Sequence, residues 1–171
     1  MVTRQPPVIV SACLLGRRCR YDGGHRDSPI VRAVLRGREV LPVCPEELGG
    51  LGTPRPAAEL RGGDGAAVLH AAGRVVTQAG ADCTEAFLAG AQAALGLARE
   101  AGAGEAILKD RSPSCGVSRV HQDGDVRSGV GVFAALLKAN EFVVRADTEL
   151  GDGEVREMRP RPLGGQPSRR P

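Results

Sequence analysis

Three short apolar runs in this chain each lead into a loop that carries a cysteine. They read VIVSAC at 8–13, EVLPVC at 39–44 and AILKDRSPSC at 106–115. Helical patterns separate the runs, and strands that alternate with helices predict an α/β fold with a mainly parallel sheet. In such a sheet the ligand crevice lies beyond the carboxyl ends of the strands. We therefore expect Cys13, Cys44 and Cys115 to meet at one edge of the sheet.

Two helices are predicted from their start residues and their apolar periodicity. The first spans residues 27–37 and is capped by Asp27 or Ser28. The second begins at Asp82 and runs to about residue 102. One apolar face of this second helix consists of Phe87, Leu88, Ala91, Leu95 and Ala98.

Turn residues and short apolar runs assign the remaining segments. Residues 45–65 are rich in Gly and Pro, so we expect a long loop at the surface of a site. Residues 66–80 are expected to form two short strands around a turn at Ala72-Gly73. The last expected elements are a loop at 110–129, a helix at 130–140 and a strand at 142–146.

Charge is distributed unevenly along the chain. Residues 156–171 hold five Arg and one Glu, a net charge of +4. Because the whole chain carries +3, residues 1–155 carry a net charge of −1. A near-neutral body lacks the clustered basic surface of nucleic-acid-binding proteins, and aromatic residues for base stacking make up only 2% of the chain. We therefore predict no nucleic-acid partner, a single α/β domain over 1–155 and an Arg/Pro/Gly-rich, disordered tail over 156–171.

The sequence predicts a cytoplasmic protein without a membrane partner. No apolar stretch approaches the roughly 20 residues of a membrane helix, and the N-terminal segment lacks the features of a secretion signal. Thiols stay reduced in the cytoplasm, and the five cysteines are an odd number that cannot pair completely within the chain. The sequence carries no signal for a particular oligomeric state.

Cysteine thiolates are preferred protein ligands of zinc and of iron–sulfur clusters. Three dispersed thiolates, Cys13, Cys44 and Cys115, could hold three corners of a four-iron cluster and leave the fourth iron open to a substrate. Cys19 could close that corner. Alternatively, all four cysteines could hold zinc in a structural or interaction module, although a C-x2–4-C pair is absent. A further alternative is that these cysteines are ordinary reduced thiols that only pack near loops. A thiol redox protein is disfavoured, because the chain lacks a C-x-x-C pair.

Polar residues beside these cysteines are candidates for catalysis. Glu46 lies two positions after Cys44, where a carboxylate could act as acid or base on a metal-bound substrate. Ser112 and Ser114 in SPSCG carry hydroxyls that could donate to a substrate heteroatom. Cys83, near the start of the long helix, is expected to be a small packing residue.

Three longer motifs, SACLLGRRCRYDGG, CPEELGGLGTPRPAAE and KDRSPSCG, occur in this order along the chain. Together they resemble the bacterial thiouracil desulfurase family, and the likeness extends over about residues 8–145. The resemblance implies a single Rossmann-like, three-layer α/β domain that carries a [4Fe–4S] cluster. It also implies non-redox, hydrolytic removal of sulfur from 2-thiouracil or a related thiolated pyrimidine, giving uracil and sulfide.

The resemblance also implies roles for individual residues, by motif position. Glu46 would be the catalytic acid and Ser112 a helper serine. Cys19 would be a neighbour of the cluster and not one of its ligands. The cluster ligands would be Cys13, Cys44 and Cys115.

Overall fold

The structure, a computed structural model, describes residues 5–151 of the 171-residue chain. The predicted tail at 156–171 and the predicted domain boundary at residue 155 lie outside these residues. Short 3-10 helices are present at Ala12–Leu15 and Asp147–Glu149. In chain order, the other elements are β1 (Val8–Ser11), α1 (Pro29–Val34), β2 (Val40–Val43), α2 (Pro45–Leu48), β3 (Ala58–Arg61), α3 (Gly65–Leu69), β4 (Arg74–Thr77), α4 (Thr84–Glu100), β5 (Glu105–Leu108), β6 (Arg119–Gln122), β7 (Asp125–Ser128), α5 (Val132–Ala139) and β8 (Val143–Ala146).

Four strands form a wholly parallel sheet in the order β2-β1-β5-β8. Val8 of β1 lies opposite Val40 of β2 on one side and opposite Glu105 of β5 on the other. Val8, Ile9 and Val10 are fully buried, as expected for a parallel strand that is covered on both faces. The predicted α/β fold with a mainly parallel sheet is confirmed.

Side chains of β1 alternate between the two faces of this sheet. Val8 and Val10 pack with Val31 and Val34 of α1 in one apolar cluster. Ile9 packs in a second cluster with the buried residues of α4 and α5. The sheet therefore lies between α1 on one face and α4 and α5 on the other, which is a three-layer arrangement.

A second four-stranded sheet, in the order β4-β3-β6-β7, is absent from the sequence prediction. Its outer pairs are antiparallel, and β3 meets β6 in parallel through Leu60 and Gln122. The loops expected at 45–65 and 110–129 both contain strands of this sheet, so both expectations are wrong. The first segment also contains helix α2.

The β6–β7 hairpin turns at Asp123-Gly124, where both residues have positive φ values of 49° and 81°. Asp-Gly is a preferred pair for such a two-residue turn, because glycine adopts the left-handed conformation without steric cost. The two strands, RVHQ and DVRS, are polar and largely exposed. Apolar periodicity therefore did not reveal them.

Residues 65–69 form helix α3, where a strand was expected. The Asp64 carboxylate caps this helix and accepts the backbone N–H groups of Ala66 at 3.0 Å and Ala67 at 3.3 Å. Five residues are too few to display a helical period, which explains the wrong prediction. The second strand expected in this region is present as β4, and it pairs with β3.

The predicted long helix is present as α4, and four residues of its predicted apolar face are buried: Phe87, Ala91, Leu95 and Ala98. Asp82 precedes the helix and accepts the backbone N–H of Thr84 at 2.9 Å.

Ser28 is the cap of α1, because its hydroxyl accepts the backbone N–H of Val31 at 3.3 Å. The expected last helix and last strand are present as α5 and β8. Across residues 5–151, no helix is long and apolar enough to cross a membrane.

Helices α2 and α4 pack backbone to backbone through two glycines. A Cβ on Gly90 would overlap the carbonyl oxygen of Pro45, and a Cβ on Gly49 would overlap that of Ala86. Only glycine permits so close an approach. The contact holds α2, whose first turn carries Glu46, against the longest helix of the fold.

Candidate active site

A cavity of about 750 Å³ opens at the carboxyl ends of β1, β2 and β5, and three cysteines line it. Cys13 lies in the 3-10 helix that follows β1. Cys44 follows β2 and is the N-cap residue of α2, and Cys115 lies in the loop after β5. All three are free thiols. The structure thus brings together at one edge of the sheet the three cysteines that the sequence pattern placed there.

Cys13 and Cys115 are buried thiols that resist ionisation in the protein alone. Burial raises the pKa of Cys13 to about 11, although the nearby Arg20 guanidinium opposes the shift. Burial also raises the pKa of Cys115, against a hydrogen bond with Ser11. A coordinated metal reverses this preference, because a coordinating thiol loses its proton.

Cys44 and Cys19 form a hydrogen-bonded pair at the cavity wall. The thiol of Cys44 donates to the carbonyl oxygen of Cys19 at 3.7 Å. When Cys44 ionises, the Cys19 thiol and the backbone N–H of Glu47 donate to its sulfur and lower the pKa of Cys44 to about 7. The same hydrogen bond to Cys44 raises the pKa of Cys19. Cys44 is therefore the member of the pair that ionises first.

The three cavity thiols are soft donors of the kind that hold iron–sulfur clusters. A tetrahedral zinc requires all its sulfurs at about 2.3 Å from one point. In the part of the chain that the structure describes, no three His, Cys, Asp or Glu side chains converge in that way. A four-iron cluster instead gives each thiolate its own iron, so its ligands are spread over a wider area. Three cavity thiols from separate loops supply a donor set of that kind.

Glu46 lies in the first turn of α2, and Arg55 holds its carboxylate from one side. Nη2 and Nε of Arg55 lie 2.7 Å and 2.8 Å from Oε2 of Glu46. The Arg55 side chain is only 8% exposed and that of Glu46 16%, so little solvent screens the pair. Both residues line the cavity. Sequence reasoning missed Arg55, although it lies within the CPEELGGLGTPRPAAE motif.

The two candidate serines lie in different places. Ser112 lines the cavity, and its hydroxyl oxygen accepts the backbone N–H groups of Ser114 at 3.2 Å and Cys115 at 3.0 Å. Ser114 is 1% exposed, and its buried hydroxyl has no hydrogen-bond partner within residues 5–151. It does not line the cavity. The structure therefore gives no support to the substrate-binding role predicted for Ser114.

Asp110 organises the loop that carries Ser112 and Cys115. Its Oδ1 accepts three backbone N–H groups at 2.9–3.1 Å, from Val117, Ser118 and Arg119. Burial by itself raises the pKa of Asp110, but these hydrogen bonds outweigh burial, and the pKa lies below its usual range.

Lys109, a second cavity residue that sequence reasoning missed, links the loop after β5 to its neighbours. Its Nζ lies 3.4 Å from Oδ2 of Asp147, in the 3-10 helix after β8. Its backbone N–H donates to the hydroxyl oxygen of Ser11 at 2.9 Å, at the end of β1. Cys83, in contrast, is half-buried at the N-cap of α4 and packs against the main core, as expected of a packing residue.

The model of the 2-thiouracil desulfurase family matches residues 8–149. The chain belongs to this family. The resemblance carried by the three motifs is therefore confirmed, and the match to the 2-thiouracil desulfurase family includes every cavity residue discussed above.

Two individual proteins are similar to this family member over most of its length. The uncharacterized protein YbbK of Bacillus subtilis (strain 168) is 41% identical over 148 residues, which cover 85% of this chain and 98% of YbbK. The solved structure of the [4Fe-4S]-dependent thiouracil desulfidase TudS is 41% identical, with a TM-score of 0.73. That match covers 85% of this chain and 93% of the TudS chain.

Proposed function

We propose that the chain is a [4Fe–4S]-dependent desulfurase that removes sulfur from 2-thiouracil or a related thiolated pyrimidine. The observation that carries the proposal is the meeting of three free thiols, Cys13, Cys44 and Cys115, at one cavity. Membership of the 2-thiouracil desulfurase family and the likeness to TudS support it. The reaction with 2-thiouracil consumes one water and yields uracil and hydrogen sulfide, so no electrons are transferred.

Cys13, Cys44 and Cys115 would each hold one iron of the cluster. A cluster held by these three thiols would supply a Lewis acid for the thiocarbonyl sulfur of the substrate. Cys19 stays outside the ligand set in this proposal, because its position in the family motifs is not that of a cluster ligand. Family membership and the likeness to TudS do not favour the zinc alternative.

Glu46 acts as base and then as acid in this proposal. Arg55 engages only Oε2 of its carboxylate, so Oε1 is left to accept a proton from a water in the cavity. The water oxygen bonds to C2 of the ring as this proton moves to Glu46. The C2–S bond then breaks, Glu46 returns its proton to the departing sulfur, and the second proton of the water also finishes on sulfur. A positioned carboxyl group contributes about 10²–10⁴-fold to such proton transfers.

Ser112 supports this chemistry as a hydrogen-bond donor. A serine hydroxyl has two acceptor lone pairs and one donor hydrogen. Two backbone N–H groups occupy the lone pairs of Ser112. Its O–H is therefore directed to a substrate atom or to the attacking water at the cavity wall.

The same proposal places the protein in the cytoplasm with a small thiolated pyrimidine as its partner. The five cysteines are free thiols, which suits a reducing compartment. Residues 1–155 carry a net charge of only −1, so a nucleic-acid partner is not proposed.

The proposal is tested by anaerobic reconstitution with iron and sulfide, followed by a sulfide-release assay on 2-thiouracil. The loaded chain should release sulfide, and Glu46→Gln should lose turnover by at least about 10²-fold while it keeps the visible absorbance of the cluster. Glu85→Gln is the control, because Glu85 is an exposed carboxylate in the first turn of α4 and does not line the cavity. A loaded wild-type chain that releases no sulfide from 2-thiouracil or from 4-thiouracil overturns the proposal.

A further inference from the structure

We infer that Arg55 is a positioning residue that fixes Glu46 relative to the cysteine-bearing loops. The inference rests on the function proposed above. The Arg55 side chain is 8% exposed, and its guanidinium group lies at the cavity wall.

All three nitrogens of this guanidinium have partners within the protein. An arginine side chain has five N–H donors. Nε and Nη2 bond Oε2 of Glu46, and Nη2 also donates to the carbonyl oxygen of Cys19 at 2.9 Å. Nη1 donates to the carbonyl oxygen of Gly52 at 3.1 Å and to the hydroxyl oxygen of Thr53 at 3.0 Å. Protein groups engage all three guanidinium nitrogens of Arg55, so we assign it a role that is exercised through other residues.

The partners of Arg55 belong to separate segments of the site. Glu46 stands on α2, two residues after Cys44. The carbonyl oxygen of Cys19 lies on the segment that follows Cys13, and the thiol of Cys44 donates to this same oxygen. The backbone N–H of Arg55 also donates to the carbonyl oxygen of Tyr21 at 2.9 Å. Arg55 thus links the carboxylate to the two loops that carry the first two thiols.

The geometry explains why an arginine serves here. The planar guanidinium directs its donors in fixed directions, so it can hold one carboxylate oxygen by two N–H groups and still reach three other acceptors. A lysine ammonium has three donors and no fixed plane. Displacement of a reacting group by about 1 Å can lower a rate by about 10²-fold.

The experiment compares Arg55→Met and Arg55→Lys with the wild-type chain after anaerobic reconstitution. We expect kcat for 2-thiouracil to fall by about 10²-fold in Arg55→Met and by less in Arg55→Lys, with KM changed less than about threefold. Iron and sulfide content and the visible absorbance of the cluster should stay at the wild-type level. Arg38→Met is the control, because Arg38 is a partly buried arginine paired with Glu105, and it does not line the cavity.

A double variant separates positioning from a general structural role. If Arg55 acts through Glu46, then Glu46→Gln with Arg55→Met should be no slower than Glu46→Gln alone. The inference is overturned if the double variant loses kcat by the product of the two single-variant factors. It is also overturned if Arg55→Lys raises KM at unchanged kcat or loses iron. An active wild-type chain with an unaffected Arg55→Met also overturns it, whereas an inactive loaded wild-type chain refutes the proposed function itself. If Arg55→Met does not fold, the kcat, KM and iron content of Arg55→Lys test the positioning role of Arg55 instead.

Discussion

The hydroxyl oxygen of Ser112 accepts the backbone N–H of Cys115 at 3.0 Å, so the proposed helper serine and the third thiol belong to one turn. The side chain of Ser112 therefore has two functions in the proposed reaction. It shapes the loop that presents Cys115, and it keeps one O–H for the cavity.

Ser112→Ala removes both the turn acceptor and the cavity donor. We expect sulfide release from 2-thiouracil to fall by about 10²-fold, since a single preorganised donor is worth that much in a rate. Ser114→Ala is the matched comparison two residues away. Because the Ser114 hydroxyl is buried without a partner in the described chain, its removal should leave activity intact and stabilise the fold by up to about 1 kcal/mol. Equal losses in the two variants would contradict the roles assigned to them.

Cys19→Ala should retain a cluster, and Cys44→Ala should not. Cys19 is not one of the three proposed ligands, so Cys19→Ala leaves the ligand set complete, whereas Cys44→Ala removes a member of it. Iron and acid-labile sulfide, measured per chain after anaerobic reconstitution, check this directly, with about four of each expected in Cys19→Ala. Loss of iron in that variant would make Cys19 a ligand and leave no open corner.

Gly90→Ala should destabilise the protein by about 3 kcal/mol or more, because the added methyl would overlap the carbonyl oxygen of Pro45. The displacement of α2 should also lower cluster content, since Cys44 caps that helix. Gly96→Ala in the same helix is the control. A Cβ there meets no atom within 4 Å, so the variant should gain about 0.5–1 kcal/mol. Urea unfolding of both variants tests the pair, and similar stabilities would contradict the packing argument.

Asp110→Asn should lower the free energy of unfolding at pH 7 by about 2 kcal/mol, because three backbone N–H groups lose a charged acceptor. The pKa of Asp110 is depressed in the folded protein. Its contribution is therefore fully present above the unfolded value of about 3.9 and is lost as pH falls through the folded pKa. Urea unfolding at pH 7 and at pH 2 should show the gap between wild type and variant narrowing at the lower pH. A gap that does not depend on pH would contradict this assignment.

The parallel sheet was predictable because its central strand is uniformly apolar. Val8, Ile9 and Val10 are buried on both faces, and an uninterrupted apolar run is the pattern that such a strand leaves in a sequence. The meeting of the three cysteines followed from the same topology, since each stands beyond the carboxyl end of a parallel strand. The family motifs then added what spacing left open, namely which of four candidate thiols to propose as ligands.

The second sheet was not predictable from periodicity, because RVHQ and DVRS together bury only one side chain, that of Val120. Its one local signal was the Asp123-Gly124 pair. Arg55 escaped notice for a different reason. Its side chain makes four simultaneous hydrogen bonds, whose partners reach from Cys19 to Thr53, and no local pattern encodes such a set.

The placement of the three thiols determines when a cofactor can be inserted during the life of the chain. Cys13 and Cys44 precede Cys115 by 102 and 71 residues, and the strand before Cys115 is itself paired with β8, which ends at Ala146. A ribosome must therefore release almost the whole domain before the three sulfurs can face one another. In the proposed function, a cluster would therefore be inserted into a nearly complete fold, because shorter N-terminal fragments hold only one or two of the three thiols.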